Sequence, residues 1–391
     1  MKILMITNIL TPYRIKFYDD LNNVLKKQGS ILRVLVLAET EPNRSWKYDD
    51  FKRDYTELAD NININLKGDI FINFTRKINI YLLKYSPDVI IIGGSYLNPN
   101  IFNILKYSKK NLCSVYFWSE SHLDEEKNYN KIKKWIRHII RSFIIKKINN
   151  FCVPGKLAQD FILKYSKKDS NFIFLPNLID NEYYFLANRK RMEESDDIKR
   201  KYNLNDNKFI FLLPARLTPV KGILEFLEIY RLCKENINAT ILIAGEGELK
   251  KSIEEKIDLY DIDVRILGSK TQEEMLELYS IANCLLLPSL SDPNPLSCIE
   301  AIWSGLPLLV SNKVGNYPEV IYNGKNGFVF NYNEVEETIS IINRLIMKES
   351  KWMENASKIS LQIAEKRFNS NLCINKFIED LKLSNKNRGA E

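Results

Sequence analysis

Leu287-Pro288-Ser289-Leu290-Ser291-Asp292-Pro293-Asn294-Pro295-Leu296-Ser297-Cys298-Ile299-Glu300-Ala301 reads as the end of a buried strand (283–287), a loop, and a helix beginning near Pro295. Proline suits a first helical turn because its missing N–H would be unpaired there anyway. The N–H groups of Leu296 and Ser297 then point out of the helix end and, with the helix dipole, form an anion site. Asp292 lies in the loop before that end and Glu300 about a turn into the helix. Two carboxylates so placed read in one of two ways. They bind hydroxyls on either side of a diphosphate, or Asp292 is a turn residue and Glu300 a surface helix residue.

Upstream, Pro214-Ala215-Arg216-Leu217-Thr218-Pro219-Val220-Lys221-Gly222 follows the apolar run 208–213 and precedes a helix expected over 221–235. In open α/β sheets ligands bind at the carboxyl edge of the strands. Arg216 offers that edge a planar fork for phosphate oxygens and Lys221 a point charge. Gly222 removes a side chain where a ligand approaches. The same segment also reads as a solvated turn.

Further out, short apolar strands alternate with amphipathic segments twice over. The first series is 2–7, 31–37, 88–92, 112–118, 150–153 and 171–175, with helices at 13–27, 98–109, 131–148 and 156–165. The second adds 240–244, 263–267, 283–287, 307–310 and 327–330. Continuous apolar strands between helices predict parallel sheets covered on both faces. The segment 175–180 and a polar helix at 188–203 separate the two halves.

The chain has 391 residues, 45% hydrophobic and 27% charged, with 14 Gly and 13 Pro; a disordered or collagen-like chain is excluded. No apolar run reaches the ~18–20 residues of a membrane span. Residues 1–8 read as a first strand rather than a signal peptide. Six scattered cysteines without a CxxC pair predict reduced thiols and a cytoplasmic protein. Two histidines, His122 and His138, are too few for an ordinary zinc site, and no metal ligand set is predicted. Residues 1–180 hold 29 Lys/Arg against 18 Asp/Glu, and residues 181–391 hold 28 against 31. The basic first half predicts an anionic partner: an anionic membrane surface or a diphosphate-bearing substrate. No aromatic–basic motif favours nucleic acid.

Taken together and in order over about 205–330, Arg216 and Lys221, Gly245-Glu246-Gly247, the 288–305 stretch and Gly324-Lys325-Asn326-Gly327-Phe328-Val329 resemble retaining nucleotide-sugar glycosyltransferases of family 4, the glycosyl transferases group 1. The resemblance implies a GT-B fold: α/β, with two Rossmann-like doubly wound domains facing across a cleft. Residues 1–180 would bind acceptor and 181–369 the nucleotide sugar. Residues 370–391 would form a helix returning to the first domain, with a frayed tail from Ser384. The implied activity moves a sugar, with retention, from a nucleoside-diphosphate donor (UDP by analogy) to a glycan or lipid-linked saccharide in surface polysaccharide or glycoconjugate biosynthesis. No cofactor beyond the sugar nucleotide and no obligatory divalent metal are implied. The alternatives are a non-catalytic GT-B relative acting with a partner, or a nucleotide-sugar epimerase.

Carried over residue by residue, Arg216 and Lys221 would hold the diphosphate and stabilise its departure. Glu300 would accept from the ribose hydroxyls, and Leu296 and Ser297 would bind phosphate through their backbones, with Asn294, Pro295 and Gly222 beside them. Leu267 and Gly268 would lie near the base. Asp292 takes the place of the motif's first acidic residue, beside the donor sugar. The family usually has Glu there, often followed by Gly where this chain has Pro293-Asn294, and donor identity is left open.

The loop Tyr116-Phe117-Trp118-Ser119-Glu120-Ser121-His122 resembles the family's interdomain-facing loop. His122 reads as a catalytic contact or as a core histidine, and Glu120 as an acceptor-side contact or a loop acid. Tyr13 and Arg14, after the first strand, are also placed on the acceptor side. Residues 131–148 are basic and amphipathic, with Ile132, Trp135, Ile136, Ile139, Ile140 and Phe143 at helical spacing. Either that stripe is buried in the domain, or it rests on anionic lipid at the inner face of the plasma membrane.

Overall fold

The computed structural model describes all residues except 42–46, 67–69, 123–130, 206, 234–237, 348–349 and 389–391. It divides into two units, Met1–Leu178 with Ser370–Glu391, and Ile179–Asn369. Along the first unit run β1 (Lys2–Thr7), α1 (Pro12–Lys27), β2 (Ile31–Val36), α2 (Tyr48–Phe51), β3 (Thr56–Leu58), β4 (Ile62–Leu66), β5 (Ile70–Phe74), α3 (Ile78–Tyr85), β6 (Val89–Gly93), α4 (Asn100–Asn111), β7 (Ser114–Trp118), α5 (Lys131–Ile145), β8 (Asn150–Val153), α6 (Lys156–Leu163) and β9 (Asn171–Phe174). The second unit holds α7 (Asn181–Glu193), α8 (Ser195–Lys201), β10 (Phe209–Pro214), a 3-10 turn Pro219–Lys221, α9 (Ile223–Tyr230), β11 (Ala239–Ala244), α10 (Lys250–Tyr260), β12 (Val264–Gly268), α11 (Gln272–Ile281), β13 (Cys284–Leu287), α12 (Leu296–Trp303), β14 (Leu308–Ser311), α13 (Tyr317–Val320), β15 (Gly327–Phe330), α14 (Val335–Ile346) and α15 (Ser350–Phe368). The last helix, α16 (Ser370–Arg388), belongs to the first unit.

The first unit's main sheet is parallel with order β3-β2-β1-β6-β7-β8-β9, beside a separate antiparallel pair β4-β5. Its strands are apolar on both sides because both sides are covered. Ile3, Met5, Val34 and Ile91 pack with α1 and with Ile374, Phe377, Ile378 and Leu381 of α16. Leu4, Ile6, Ile90 and Ile92 pack with Ile78 and Leu82 of α3, Ile101 and Ile104 of α4, and Phe161 of α6. The second unit's sheet, order β12-β11-β10-β13-β14-β15, is also parallel and covered on both faces. Numbered within each sheet, both orders begin 3-2-1-4. The order reverses between β1 and β6 in one and between β10 and β13 in the other, and such reversal points open a crevice at the carboxyl edge.

Four expectations are corrected. The helix at 221–235 is broken: Gly222 adopts φ +64°, ending the 3-10 turn, and α9 covers only Ile223–Tyr230. The helix at 188–203 is two helices and starts earlier, because the Asp180 side chain accepts from the Tyr183 N–H and caps α7. The tail from Ser384 is helical to Arg388. Finally, α5 does not bury its predicted stripe. Arg141, Ile144 and Ile145 face the core, Ile140 is half-buried, and Ile132, Trp135, Ile136, Ile139 and Phe143 are exposed.

Candidate active site

The loops after β10 and β13, which flank the reversal point of the second sheet, meet. Leu290 and Ser291 donate their N–H groups to the Val220 carbonyl (2.9 and 3.2 Å). Lys221 Nζ lies 2.5 Å from Asp292 Oδ2, with both side chains largely buried (17% and 12% exposed). Asp292 is therefore held on the lysine. Its backbone is fixed from the β14 side, where its carbonyl accepts from Gly315 N–H at 2.7 Å. Arg216 is exposed and makes no ion pair with any described residue. Behind it, the Gly-x-Gly turn runs against the chain so closely that a Cβ on Gly245 would come 1.9 Å from the Ala215 carbonyl oxygen. Leu217 N–H donates to the Glu246 carbonyl at 2.9 Å. That packing sets where the 215–217 segment leaves the sheet.

Gly222 serves a different purpose from the one expected. A Cβ there would lie 2.2 Å from the Pro288 carbonyl oxygen and 2.8 Å from the Tyr332 hydroxyl. The room it leaves is filled by the protein's own backbone, and this close approach joins the two loops.

Helix α12 starts at Leu296, and Pro295 is its N-cap residue in an extended conformation (φ −66°, ψ 128°) rather than its first helical residue. The N–H groups of Leu296 and Ser297 are in the first turn and have no intrahelical acceptor. Asn316 holds the approach to the helix, donating from Nδ2 to the Pro295 carbonyl (2.9 Å) and Asn294 Oδ1 (3.2 Å). Thr218 Oγ1, Ser289 Oγ, Asn294 Nδ2 and Asn316 Oδ1 are buried without a hydrogen-bond partner among the described residues. Buried polar atoms rarely stay unpaired, so these loops are a candidate place for a polar ligand.

Glu300 is half-buried. Tyr184 donates to its Oε1 at 3.0 Å and Tyr279 to its Oε2 at 2.7 Å. Burial raises its pKa above the ordinary 4.5, and the two hydroxyls hold it partly back. A carboxylate has about four acceptor positions, so two remain for hydroxyls of a ligand. The sign of the stability effect follows from the raised value. The group costs nothing below the ordinary glutamate range, destabilises the fold progressively as pH rises from that range to its raised value, and by a constant amount above it. Glu300→Gln removes that loss. Its melting temperature relative to wild type is expected to be higher at pH 8 than at pH 4, read by scanning calorimetry at both.

Leu267 is half-buried, and Gly268 ends β12 at φ +74°, bridged to Gly245 and next to the Glu246 carboxylate. Tyr184, Tyr279, Asn316 and Tyr332 escaped the sequence reading. Only Gly315-Asn316, a glycine just beyond a strand, carried a local signal.

In the first unit, Arg14 and Glu120 form an ion pair at 2.8 Å. The Arg14 guanidinium lies 3.7 Å from the centre of the Trp118 ring and 5.7 Å from that of Tyr13. Its Nη1 is buried with no hydrogen-bond partner among the described residues. These groups follow β1 and β7 at the carboxyl edge. His122 is buried at 2% exposure, as a core histidine would be. Gly94, at φ +95°, ends β6 against the Asn8 side chain.

Residues 194–361 match the family model described as Glycosyl transferases group 1. The matched residues lie within the second unit, which carries that family's pattern. The chain is 25% identical over 285 residues, 69% of its length and 70% of the relative's, to the alpha-monoglucosyldiacylglycerol synthase of Acholeplasma laidlawii. It is 29% identical over 176 residues, 44% of each chain, to the UDP-Gal:alpha-D-GlcNAc-diphosphoundecaprenol alpha-1,3-galactosyltransferase of Escherichia coli. Among solved structures it resembles Anabaena HepE in complex with UDP, with a TM-score of 0.72 at 15% identity over 98% of this chain and 100% of that one. Sucrose-phosphate synthase from Thermosynechococcus elongatus gives 0.72 at 16% over the whole of both chains. The chain has the GT-B fold.

Proposed function

We propose that this protein transfers a glycosyl group from a UDP-sugar to a glycan or lipid-linked saccharide, with retention of anomeric configuration. The observation that carries the reading is the convergence of Lys221, the Asn294 loop and the first turn of α12 at the reversal point of the second sheet. When the bond from the sugar's anomeric carbon to the diphosphate breaks, negative charge grows on the phosphate oxygens. Lys221, held by Asp292, and the Leu296 and Ser297 N–H groups meet that charge without rearranging, which is the most effective kind of electrostatic catalysis, and the exposed Arg216 adds a second side-chain cation. The acceptor hydroxyl bonds to the anomeric carbon on the face the diphosphate leaves, and its proton passes to a departing phosphate oxygen. Glu300 takes the ribose hydroxyls, its remaining acceptor positions aimed by Tyr184 and Tyr279. Asp292 orients Lys221 beside the donor sugar.

Support for uracil comes from the relatives: a UDP complex is among the structural neighbours, and the Escherichia coli relative is named for UDP-Gal. A lipid-linked acceptor is supported by the lipid named in both curated relatives. On the acceptor side we assign Tyr13, Arg14 and Glu120 of the first unit. No divalent metal is required, because the side-chain cations and the helix tip supply the charge.

The test is a panel of nucleoside-diphosphate sugars incubated with the enzyme, with and without a chelator, scored for nucleotide release and for the anomeric configuration of any product by NMR. UDP-sugar turnover that survives chelation and yields a retained anomer is expected. Inversion, or turnover abolished by the chelator, would contradict the mechanism.

A further inference from the structure

Helix α5 presents two chemistries that the fold itself does not need. Its inner face is anchored. Arg141 is fully buried, with its guanidinium 4.7 Å from the centre of the Tyr96 ring and 4.8 Å from that of Phe161, and Ile144 and Ile145 join the core. Its outer face is apolar. Ile132, Trp135 and Phe143 are 71%, 65% and 58% exposed, with Ile136 and Ile139 completing one stripe along about 17 Å of helix. Phe102 of α4, also exposed, extends the stripe, its ring 6.2 Å from Phe143.

Where the stripe ends, α4, the end of α5 and the chain after α6 enclose a groove of about 560 Å³. It is lined by Phe102 and by Lys106, Lys109, Lys146, Lys147 and Lys167, with no acidic residue among its lining. The sequence around it is one-sided in charge. No Asp or Glu occurs in 89–119 or in 127–159, and 131–147 alone holds seven Lys/Arg.

We infer that α5 and the lysine groove beside it form a docking surface for an anionic bilayer, with the groove receiving lipid phosphate headgroups. The inference deepens the lipid-linked acceptor reading above and rests on it for its purpose. Charge complementarity selects the occupant. Lysines ring an apolar stripe, which matches an anionic headgroup layer lying over acyl chains: Trp135, Ile132 and Phe143 enter the boundary while the lysine stems reach back to the phosphates. A second copy of the chain pressed face to face would set lysines against lysines. The geometry also suits the reaction. α5 follows β7, so it begins at the carboxyl edge that carries Glu120 and runs back to the amino edge where the groove opens. A lipid-linked acceptor lying in the bilayer would be held alongside the unit to which Tyr13, Arg14 and Glu120 belong.

The test is sedimentation of the full chain with vesicles of phosphatidylcholine alone, and of equal parts phosphatidylcholine and phosphatidylglycerol. Wild type should bind only the anionic vesicles and lose binding as salt is raised. Trp135→Ser/Phe143→Ser should weaken binding by at least about tenfold. Lys106→Glu/Lys146→Glu should weaken it by about fivefold or more per lysine. All of these side chains are exposed, and both variants should melt and release nucleotide from the donor as wild type does. Equal binding to both vesicles, unchanged binding by either variant, or a dimer in light scattering that the variants dissolve would overturn the inference. If vesicle binding fails while donor turnover persists, the docking surface is wrong and the proposed function stands. If wild type binds anionic vesicles but turns over no sugar nucleotide, the reverse holds.

Discussion

Lys221→Ala is expected to lower turnover of the donor by about 10²–10³-fold, the usual loss when one preorganised charge is taken from an anionic transition state. It should also lower the melting temperature. Asp292 is only 12% exposed, and a largely buried carboxylate stripped of its cation is strongly destabilising. The two effects are separable by a second variant. Lys221→Ala/Asp292→Asn removes both charges, so the melting temperature should return towards wild type while turnover stays low. If the double variant recovered turnover together with stability, Lys221 would be a structural partner of Asp292 and the catalytic assignment would fall. If both variants turned over donor normally, the site would be elsewhere.

The second large effect is on the fold. Gly222→Ala places a side chain on a left-handed residue at a cost of about 1–2 kcal/mol. It also drives the new carbon into the Pro288 carbonyl, a clash of the overpacking kind that adds about 1–3 kcal/mol. For a unit of this size the melting temperature should fall by roughly 5–15 °C, and donor turnover should fall with it because the joint between the two phosphate-side loops opens. Gly324→Ala is the control. Gly324 is also left-handed (φ +79°) but has nothing within 4 Å of its missing side chain, so only the smaller strain should appear. Equal losses for the two variants would show that close approach at Gly222 contributes nothing.

How much of this could be seen in the sequence depended on the range of the interactions. Parallel strands buried on both faces are unbroken apolar runs, so Val89–Ile92 and Ile241–Ile243 were plain, as was the alternation that makes two doubly wound sheets. The β4–β5 pair was not anticipated, although Ile62-Asn63-Ile64-Asn65-Leu66 alternates apolar and polar residues with the period of a strand. The break at Gly222 was hidden. A glycine between Lys221 and Ile223 is compatible with a helix, and only the Pro288 carbonyl arriving from 66 residues away makes the left-handed turn necessary. Arg216, Lys221, Asp292 and the start of α12 could be named from their neighbours in sequence. The tyrosines that grip Glu300 could not, since Tyr184 comes from 116 residues away. The α5 stripe shows a third limit: helical periodicity reveals that an apolar face exists, and says nothing of whether protein or lipid covers it.

The central claim is that Lys221 and the tip of α12 grip a diphosphate. It is tested most directly by calorimetric titration of UDP, GDP, ADP and dTDP, each beside its monophosphate, into wild type and Lys221→Ala/Asp292→Asn. At least one diphosphate should bind wild type about tenfold or more tighter than its monophosphate, a difference of ~1.4 kcal/mol, and the double variant should lose that preference. Diphosphates that bind no better than monophosphates, or a preference that survives the loss of Lys221, would contradict the account.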